Sequence, residues 1–550
     1  MPPVRSGIAD YSADLLPHLI AGGGVRVLGL PDQPVDPELE ERFAVVPAEE
    51  ARPAGGWAGE AGRLPLYQMG NNRYHRAVQA MALERPGVLV LHDLVLHHLV
   101  SEETLGVRDF DAYRRRLTAD HGWVGREAAR PRAWGAAVEA MLFELPAHRT
   151  LLRRQRGVLV HNRWAARRIR EEDPEVPVQV VPMGIPLPPP LDPAAGRRLR
   201  RRFGVPEDAP VLGSFGFQTP IKRTAVAVRA LTTPELSRAH LLVVGESPGG
   251  TPGRGADLLA LARELGVADR VHETGFVPFE EFGAAIAACD LALNLRYPTA
   301  GETSASLLRI LALGRAAVVS DHAQFAELPG DAVVQVPLGS ASPPAGGPAG
   351  AGDEAAALAR ELAGLLAAPE RLAAMGEAAR EHVRRNHAPE DAARAVWEAC
   401  QAFAHAPPPG DRPAAPPPPT SITREALPGR VALEDTLEPW PAGGRRRLAL
   451  RLANHGPARW LAAHRGPGGI ALQVSLVTPD GEDVLADRPW LPLPRDLDAG
   501  ETHRFEIALR RPPGPATLTV ATRLLGGSET GAFEPEGWGG PRAEWRIGWP

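Results

Sequence analysis

Up to about residue 400, short runs of apolar residues alternate with longer stretches of helical period. Continuous apolar runs are typical of strands buried on both faces of a parallel sheet, and the stretches between them predict the helices that cover it. The clearest runs are Gly87–Leu91, Gly157–Val160, Leu241–Val244 and Ala316–Val319. This part of the sequence therefore predicts an α/β fold.

Beyond residue 428 the hydrophobic period changes to two. Strict alternation of apolar and polar residues indicates half-buried strands, so this part predicts an all-β unit. Pro479–Gly481 has the composition of a hairpin turn between two of the strands. The alternating apolar positions are Leu448, Leu450 and Leu452, then Leu472, Val474 and Leu476, and finally Phe505, Ile507 and Leu509.

Glycine and proline divide the chain into segments. The 57 Gly and 58 Pro of the 550 residues concentrate in Ala406–Thr420, Pro182–Pro193 and Ser342–Gly352. The first segment predicts an extended tether, the second a seam between two α/β domains, and the third a surface loop. The predicted domains are two tandem Rossmann-like domains (1–182 and 183–388), a terminal helix (389–405), a Pro-rich linker (406–428) and a β-sandwich (429–550).

Charge and cysteine content exclude several classes of protein. With 61 Lys plus Arg against 66 Asp plus Glu, the net charge of -5 argues against nucleic acid as a partner. Two cysteines exclude a disulfide framework and a multi-cysteine zinc site, which favours the cytoplasm. The basic runs Arg114–Arg116 and Arg197–Arg202 have two interpretations: contact with anionic lipid at the inner membrane face, or solvated helix faces.

Candidate chemistry in the first α/β domain lies where its strands end, because ligands bind at the carboxyl ends of parallel strands. His92 follows the run Gly87–Leu91 and could accept a proton or orient a sugar hydroxyl, although a structural histidine fits equally well. The amides of Gln68–Asn72 could line the same cleft. Gly7 precedes a helical stretch whose first N–H groups could bind an anion, but glycine turns before helices are common.

The second α/β domain carries the stronger pattern. Lys222 and Arg223 lie in a turn after an apolar run, where a lysine can bind a phosphate. Further on, Gly301 supplies backbone freedom and Glu302 stands just before a helix. Thr303 and Ser304 could cap that helix, and the free N–H groups beside them would face a diphosphate. No metal-ligand motif occurs, so we expect a metal-independent reaction on a phosphate-bearing ligand.

Six sequence segments resemble the retaining glycosyltransferases of family four, which have the GT-B fold. They fall within residues 1 to 404 and read PPVRSGIADYSADLLPHL, LYQMGNN, PGVLVLHDLVLHH, GSFGFQTPIKR, TGFVPFEEF and NLRYPTAGETSASLLRILALGRAAVVSDHAQFAELP. The resemblance implies transfer of a sugar, with retention at the anomeric carbon, from a nucleotide-sugar donor to a glycan or lipid-linked acceptor. It implies no cofactor beyond the donor and no metal.

The resemblance also assigns roles to residues. It places Gly7 close to the donor phosphates, His92 near the transferred sugar, and Lys222 at the diphosphate leaving group. Glu302 and the backbone after it, with Gly301, Thr303 and Ser304, would hold the donor. The terminal helix would cross back onto the N-terminal domain.

The chain departs from the family pattern at three places. Phe217 stands where many members have an arginine, so Arg223 or Arg296 would supply the second positive charge. Arg309 stands at the position of a second glutamate, which leaves ribose recognition open. A strand is expected before Gly7, so either the start lies upstream or the first domain lacks that strand. The alternatives are a noncatalytic sugar-binding or scaffold protein and a GT-B sugar-nucleotide epimerase.

The all-β unit is similar to the immunoglobulin-like accessory modules of bacterial enzymes. The resemblance rests on the segments Leu452–Trp460 and Leu491–Glu501. Six tryptophans lie beyond the tether, and in a small sandwich such residues are more often core than platforms for sugar rings.

Overall fold

The computed structural model describes residues 7–30, 35–48, 63–133, 142–143, 145–246, 257–337, 349–408, 421, 428–435, 437, 440–441, 443–461, 469–485, 490–493, 496–524 and 541–547. Most of the predicted linker lies outside these residues, as do the loop at Ser342–Gly352 up to residue 348 and the segment before Gly7. One compact unit comprises residues 1–109, 146–339 and 351–414, and the other comprises 110–145, 340–350 and 415–550. The five predicted domain bounds stay predictions.

The strands fall into parallel and antiparallel groups. The parallel strands are β1 (Leu28–Gly29), β2 (Val46–Pro47), β3 (Leu66–Met69), β4 (Val88–Leu91), β5 (Gly157–Val160), β6 (Val178–Val180), β7 (Val211–Phe215), β8 (His240–Val244), β9 (Val271–Gly275), β10 (Leu291–Asn294), β11 (Ala317–Ser320) and β12 (Val333–Val336). The antiparallel strands are β13 (Gly429–Leu433), β14 (Arg445–Asn454), β15 (Ile470–Val477), β16 (Trp490–Pro492), β17 (Thr502–Arg510), β18 (Ala516–Leu524) and β19 (Arg542–Ile547).

In the part of the chain that the structure describes, the α-helices precede β13. They are α1 (Gly7–Ala21), α2 (Pro37–Phe43), α3 (Arg76–Glu84), α4 (His97–Thr104), α5 (Phe110–Ala133), α6 (Arg149–Arg153), α7 (Arg163–Glu172), α8 (Pro193–Arg202), α9 (Thr224–Ala230), α10 (Leu258–Glu264), α11 (Phe279–Ala287), α12 (Ala305–Ala312), α13 (Ala349–Leu366), α14 (Pro369–Asn386) and α15 (Pro389–Phe403). Helix α5 is bent at Gly122, whose φ is +60°. Among the described residues, the helices are too short or too polar to cross a membrane.

The second parallel sheet has six strands in the order β12-β11-β10-β7-β8-β9. This is the order of a doubly wound Rossmann sheet, with the crossover between β7 and β10 at its centre. All residues of β7 are buried, as are all residues of β8, β10 and β11, which explains their continuous apolar sequence. The carboxyl ends of β7 and β10 lie side by side at the crossover, where a ligand site is expected.

The first parallel sheet has four strands in the order β3-β4-β5-β6. Strands β1 and β2 pair with each other and, among the described residues, form a separate two-stranded sheet. The two larger parallel sheets follow one another along the chain, and antiparallel strands follow them. The predicted fold class of two tandem Rossmann-like units and an all-β unit is confirmed.

Helix α15 packs against elements of the first sheet. It contacts α1 and β5, and the ring of Phe403 lies over Gly157, where a Cβ atom would be only 2.2 Å from that ring. The Arg156 guanidinium donates hydrogen bonds to the carbonyl oxygens of Ala404 (3.1 Å) and Ala406 (3.0 Å). These contacts fix the end of the α/β part of the chain to α1 and to the start of β5.

The antiparallel strands form two sheets, β13-β14-β17 and β16-β15-β18-β19. Their inward residues, including Leu450 and Leu472, form one apolar core in which Trp440 and Trp460 are also buried. The alternation in the sequence therefore predicted a β-sandwich correctly. The turn at Pro479–Gly481 is present too, with Gly481 at a φ of +86° and its N–H donating to the Thr478 carbonyl oxygen.

Candidate functional site

Three neighbouring strands of the first sheet end beside one another and are each followed by polar residues. Gly70–Asn71 follows β3, His92–Asp93 follows β4, and His161–Asn162 follows β5. Because parallel strands present their carboxyl ends at one edge, these side chains share one side of the sheet. This edge is the first half of the candidate site.

His92 is buried at this edge. Its Nε2 lies 2.7 Å from Gln68 Oε1, and its backbone N–H donates to the Met69 carbonyl oxygen. Burial, followed by the nearby His161 and His75, holds the pKa of His92 well below its ordinary value. The imidazole is therefore neutral near pH 7, with the Nε2 proton donated to Gln68 and the Nδ1 lone pair left to accept.

Asp93 lies next to His92 and faces the second half of the site. Its Oδ2 accepts a hydrogen bond of 2.9 Å from the Asn71 N–H. Burial, assisted by the negative charge of Glu302, raises the pKa of Asp93 to about 7. A carboxyl group that titrates near neutrality can both donate and accept a proton. The sequence pointed to this residue only through its position beside His92 at a strand end.

Lys222 ends a short 3-10 helix after β7 and is buried. Its Nζ donates to the Phe215 carbonyl oxygen, and a Cβ atom on Gly216 would come within 2.8 Å of Nζ. Burial, followed by the positive charge of Arg296, holds the pKa of Lys222 well below its ordinary value. An anion placed beside Nζ would raise that pKa, because opposite charges stabilise each other in a buried site.

The buried Arg296 and the partly buried Glu302 form an ion pair next to Lys222. Arg296 Nε lies 3.2 Å from Glu302 Oε1. The other carboxylate oxygen of Glu302 accepts from Thr299 Oγ1 (3.1 Å) and from the Ala300 N–H (3.0 Å). Glu302 thus shapes the loop before α12 as well as balancing a positive charge.

Gly301 is required by the geometry of that loop. Its φ of +79° is unfavourable for other residues, and a Cβ atom would lie 2.6 Å from the Leu94 Cβ. At the next turn, Ser304 caps α12 because its Oγ accepts from the Leu307 N–H. Thr303 lies between them and accepts a hydrogen bond from Asn162 Nδ2 (3.1 Å).

The Gly301 loop is hydrogen bonded to the first sheet's edge. Asn162 Nδ2 donates to the Gly301 carbonyl oxygen (3.0 Å), and the Val95 N–H donates to the Ala300 carbonyl oxygen (3.0 Å). These bonds bring Glu302 to the side of the cleft that carries His92 and Asp93. Asn162 was not among the residues predicted from the sequence, although its position after β5 and at the N-cap of α7 was an available signal.

Gln324 is a second residue that the sequence analysis missed. Its Nε2 donates to Thr299 Oγ1 (2.7 Å) and to the Glu302 carbonyl oxygen (2.8 Å). It lies in a short 3-10 helix after β11, inside the segment quoted for the family resemblance. Its role in holding the loop depends on a contact between distant parts of the chain, which no local pattern reports.

Three candidate residues lie apart from the Lys222–Glu302 cluster. Arg223 pairs with Glu354 of α13 (Nε to Oε1 2.9 Å), so Arg296 is the arginine whose charge acts on Lys222. Arg309 of α12 pairs with Asp14 of α1 at 2.8 Å. Gly7 is the exposed first residue of α1, and a Cβ atom there would meet nothing within 4 Å.

One signal in the sequence is stronger than the local turn pattern around Lys222. Among 61 basic residues, Lys222 is the only lysine. Arginine cannot lose its charge in proteins and carries a planar fork, whereas lysine is a compact ammonium on a flexible stem. A Cβ atom at position 216 would come within 2.8 Å of Lys222 Nζ, so glycine there leaves room for the compact amino group of lysine. Among the described residues, no group of three or more His, Cys, Asp or Glu side chains could hold a metal ion.

Residues 209–368 match the protein family described as glycosyl transferases, group 1. The matched segment resembles group 1 glycosyltransferases. It contains the second parallel sheet together with Lys222, Arg296 and Glu302. The expectation from the sequence is thus supported at the level of this broad group, on the half of the site that carries the buried charges.

Two curated proteins resemble parts of the chain. D-inositol 3-phosphate glycosyltransferase of Stackebrandtia nassauensis is 41% identical over 119 residues, which cover 19% of this chain and 26% of that enzyme. The 2-deoxystreptamine glucosyltransferase of Streptomyces kanamyceticus is 35% identical over 150 residues, covering 26% of this chain and 35% of that enzyme. The chain therefore matches between a quarter and about a third of the length of these relatives.

Solved structures resemble a larger part of the chain at low identity. Sucrose-phosphate synthase from Thermosynechococcus elongatus has 18% identity and a TM-score of 0.49, with 73% of this chain and 94% of that chain covered. HepE from Anabaena, solved with UDP and glucose, has 14% identity and a TM-score of 0.47, with 72% of this chain and 96% of that chain covered.

Proposed function

We propose that the protein is a retaining glycosyltransferase that moves a sugar from a nucleotide-sugar donor to a glycan, lipid-linked or other glycoconjugate acceptor without a metal. One observation carries the proposal: the only lysine of the chain is buried beside the Arg296–Glu302 pair, within the segment that matches group 1 glycosyltransferases. A buried ammonium at the end of a Rossmann strand is suited to the diphosphate of such a donor.

The second half of the site would bind and stabilise the leaving group. As the bond to the sugar breaks, negative charge builds on the diphosphate, and Lys222 with Arg296 would neutralise it in place of a metal ion. The N-terminus of α12, capped by Ser304, adds N–H groups and the positive end of the helix dipole. No nucleophilic side chain is needed for this proposal.

The first half of the site would position the sugar. His92 is held by Gln68 through Nε2, so its Nδ1 lone pair is available to a sugar hydroxyl. Asp93, with a pKa raised to about 7 by burial, is able to exchange a proton with a hydroxyl at neutral pH. The site therefore separates charge stabilisation on one sheet from neutral hydrogen bonding on the other.

A binding experiment on the single lysine tests the proposal. With 15N-labelled lysine, the chain gives one side-chain ammonium signal, which we expect to shift on addition of UDP, GDP or ADP and of the matching sugar nucleotides. Mass spectrometry of the complexes then identifies the retained donor. Transfer to acceptors is measured with and without EDTA. Absence of any shift and of any transfer or hydrolysis would refute the enzyme proposal.

One observation favours the epimerase alternative. That reaction needs carboxyl groups that exchange protons in the cleft, and Asp93 faces Glu302 there. Consumption of a nucleotide sugar without any acceptor, with the nucleotide still attached to the altered sugar, would favour the epimerase. Release of free nucleoside diphosphate only when acceptor is present would favour the transferase.

We also propose that the β-sandwich is an immunoglobulin-like accessory unit and that the protein acts in the cytoplasm, at the inner membrane face when its acceptor is lipid-linked. Helix α8 supports the second part, because its exposed residues include Arg197, Arg198, Arg201 and Arg202. Such a cationic surface favours anionic lipid. Sedimentation with vesicles that contain anionic lipid, against neutral vesicles, tests this contact.

A further inference from the structure

Three aromatic side chains pack together beneath the first sheet's edge. The rings of Tyr11, His92 and His161 form a triangle with centroid separations of 4.9 Å, 5.3 Å and 5.0 Å. Tyr11 comes from α1, and the two histidines follow β4 and β5. Tyr11 is 1% exposed and His161 is 7% exposed, so both are more than nine-tenths buried.

Two polar atoms of this cluster lack a protein partner. Within the described part of the chain, no group forms a hydrogen bond with the Tyr11 hydroxyl or with His161 Nε2. Burying either atom without a partner costs free energy, and buried polar groups are satisfied in most proteins by protein, water or ligand. The two ring centroids are 5.3 Å apart, so one small polar group placed between the atoms would satisfy both.

The protonation of the two groups makes them complementary. His161 Nδ1 lies 3.2 Å from the Val181 carbonyl oxygen, so Nδ1 carries the proton and Nε2 has a free lone pair. Burial lowers the pKa of His161 to about 4, which keeps the ring neutral at pH 7. Burial also raises the pKa of Tyr11 above its ordinary value, so its hydroxyl remains a donor. The cluster thus offers one donor and one acceptor.

We propose that Tyr11 and His161 together bind a hydroxyl oxygen beside His92. The Tyr11 hydroxyl donates to that oxygen, and the oxygen donates its own proton to His161 Nε2. A hydroxyl is suited to both contacts because it donates and accepts at once. Its source is a hydroxyl of the sugar substrate or an internal water molecule. The assignment of this hydroxyl to the sugar substrate rests on the proposed function, whereas its assignment to an internal water molecule does not.

The location supports a role in placing the sugar. His92 packs against both rings of the pair, and its Nε2 is hydrogen bonded to Gln68. An oxygen bound by Tyr11 and His161 would lie next to the His92 ring and fix the sugar or the water that it contacts. Tyr11 and His161 are positioning residues in this scheme.

The first test measures melting temperature on the full chain without ligand. Tyr11→Phe removes the hydroxyl and keeps the ring. Tyr67→Phe is the matched control. The buried Tyr67 hydroxyl donates to the carbonyl oxygens of Met81 and Arg85. Its removal therefore shows how far the melting temperature falls when a hydrogen-bonded hydroxyl is lost. A fall in melting temperature for Tyr11→Phe comparable to that of Tyr67→Phe supports an internal water.

The second test measures the affinity of UDP-, GDP- and ADP-glucose against UDP, GDP and ADP. If the hydroxyl belongs to the sugar, Tyr11→Phe weakens binding of the retained nucleotide sugar by about five- to tenfold and leaves the nucleoside diphosphate unchanged. His161→Asn keeps the donor toward Val181 but removes the Nε2 acceptor, so it weakens sugar binding likewise. His161→Gln, whose side-chain amide reaches the position of Nε2, restores part of the affinity for the nucleotide sugar.

The outcomes separate this inference from the proposed function. If Tyr11→Phe melts at the same or a higher temperature and every affinity is unchanged, the inference is overturned. If no nucleotide sugar binds even the parent protein, the proposed function fails and the melting temperatures alone decide: a fall supports the water, and an unchanged or raised value overturns the inference.

Discussion

The two parallel sheets present opposite kinds of chemistry at corresponding edges. After the strands of the first sheet come the neutral rings of His92 and His161, whereas the second sheet is followed by the charged groups of Lys222, Arg296 and Glu302. Both edges are buried, and burial penalises charge at both. Burial lowers the pKa of both histidines, so their rings are neutral at pH 7, whereas the second sheet places Arg296 and Glu302 together as an ion pair. Similar folds therefore provide a hydrogen-bonding surface and an electrostatic one.

The largest effect is expected at the charged edge. Lys222→Ala should lower kcat/KM by about 10²- to 10³-fold, since it removes charge stabilisation of the leaving group, with little change in melting temperature. The matched cation is Arg223, which pairs with Glu354, and Arg223→Ala should lower kcat/KM much less. Steady-state kinetics and thermal unfolding check both variants. Equal losses of activity and stability in Lys222→Ala would mean that the lysine is structural and would remove the contrast between the edges.

The next largest effect is expected at the Gly301 loop, which is hydrogen bonded to the first sheet's edge. Gly301→Ala should lower the free energy of unfolding by about 2–4 kcal/mol, because it combines a strained positive φ with a contact against Leu94. Gly364→Ala, in α13 with nothing within 4 Å, is the control and should stabilise its helix slightly. Denaturant unfolding measures both. A Gly301→Ala protein as stable as the parent would show that the loop can move away from the first sheet.

A pH experiment sharpens the contrast at Asp93. Its pKa is raised from 3.8 to about 7 when the protein folds, so the protonated carboxyl stabilises the folded state fully below pH 4. That contribution is lost as the pH rises toward 7. Asp93→Asn stays neutral, and at pH 8 its free energy of unfolding should exceed the parent's by up to about 4 kcal/mol, since each pKa unit is worth about 1.4 kcal/mol, with the excess disappearing near pH 4.

Denaturant unfolding at several pH values measures the Asp93 effect. The exposed Asp208, which pairs with Arg238 at the surface, serves as the control, because burial contributes little to the effect of Asp208→Asn. A parent and an Asp93→Asn protein with parallel pH profiles would mean that Asp93 is ionised at pH 5 and that the first edge is less neutral than the structure indicates.

The smallest effect is expected at the Asp14–Arg309 pair, which joins α1 to α12. The two side chains are 25% and 12% exposed, so solvent screens part of their attraction. Asp14→Asn should lower the free energy of unfolding by less than about 1 kcal/mol. A double-mutant cycle with Arg309→Ala measures the coupling. A coupling above about 2 kcal/mol would contradict this and would indicate that the pair is a main link between the sheets.

Local sequence patterns predicted the strands and named candidate residues at the edges of both sheets. Val88–Leu91 and Leu291–Asn294 are continuous apolar runs, and such runs can be stable only when buried on both faces. The alternation around Leu450 likewise predicted a two-faced strand. His92, Lys222 and Glu302 became candidates because each follows a strand or precedes a helix, positions where a fold of this type places functional side chains.

The sequence did not predict which polar groups meet. Asn162 and Gln324 hold the Gly301 loop from 139 and 22 residues away from their partners, and Arg223 is directed toward Glu354 over 131 residues. Those contacts depend on how the sheets and helices pack. Because of them, the positive charge that acts on Lys222 is that of Arg296, whereas Arg223 is paired with Glu354.

By itself the sequence determined the order of α/β and all-β units, the buried strands, and the presence of a single lysine in a glycine-rich turn. Periodicity and residue type carry this information because the pattern of apolar residues that buries a strand, and the residues that form a turn, lie close together in the sequence. The tertiary structure alone decided the protonation of His92 and Asp93, the pairing of Arg296 with Glu302, and the grouping of Tyr11 with His161. Those properties arise from desolvation and from neighbours that the chain supplies only after it has folded.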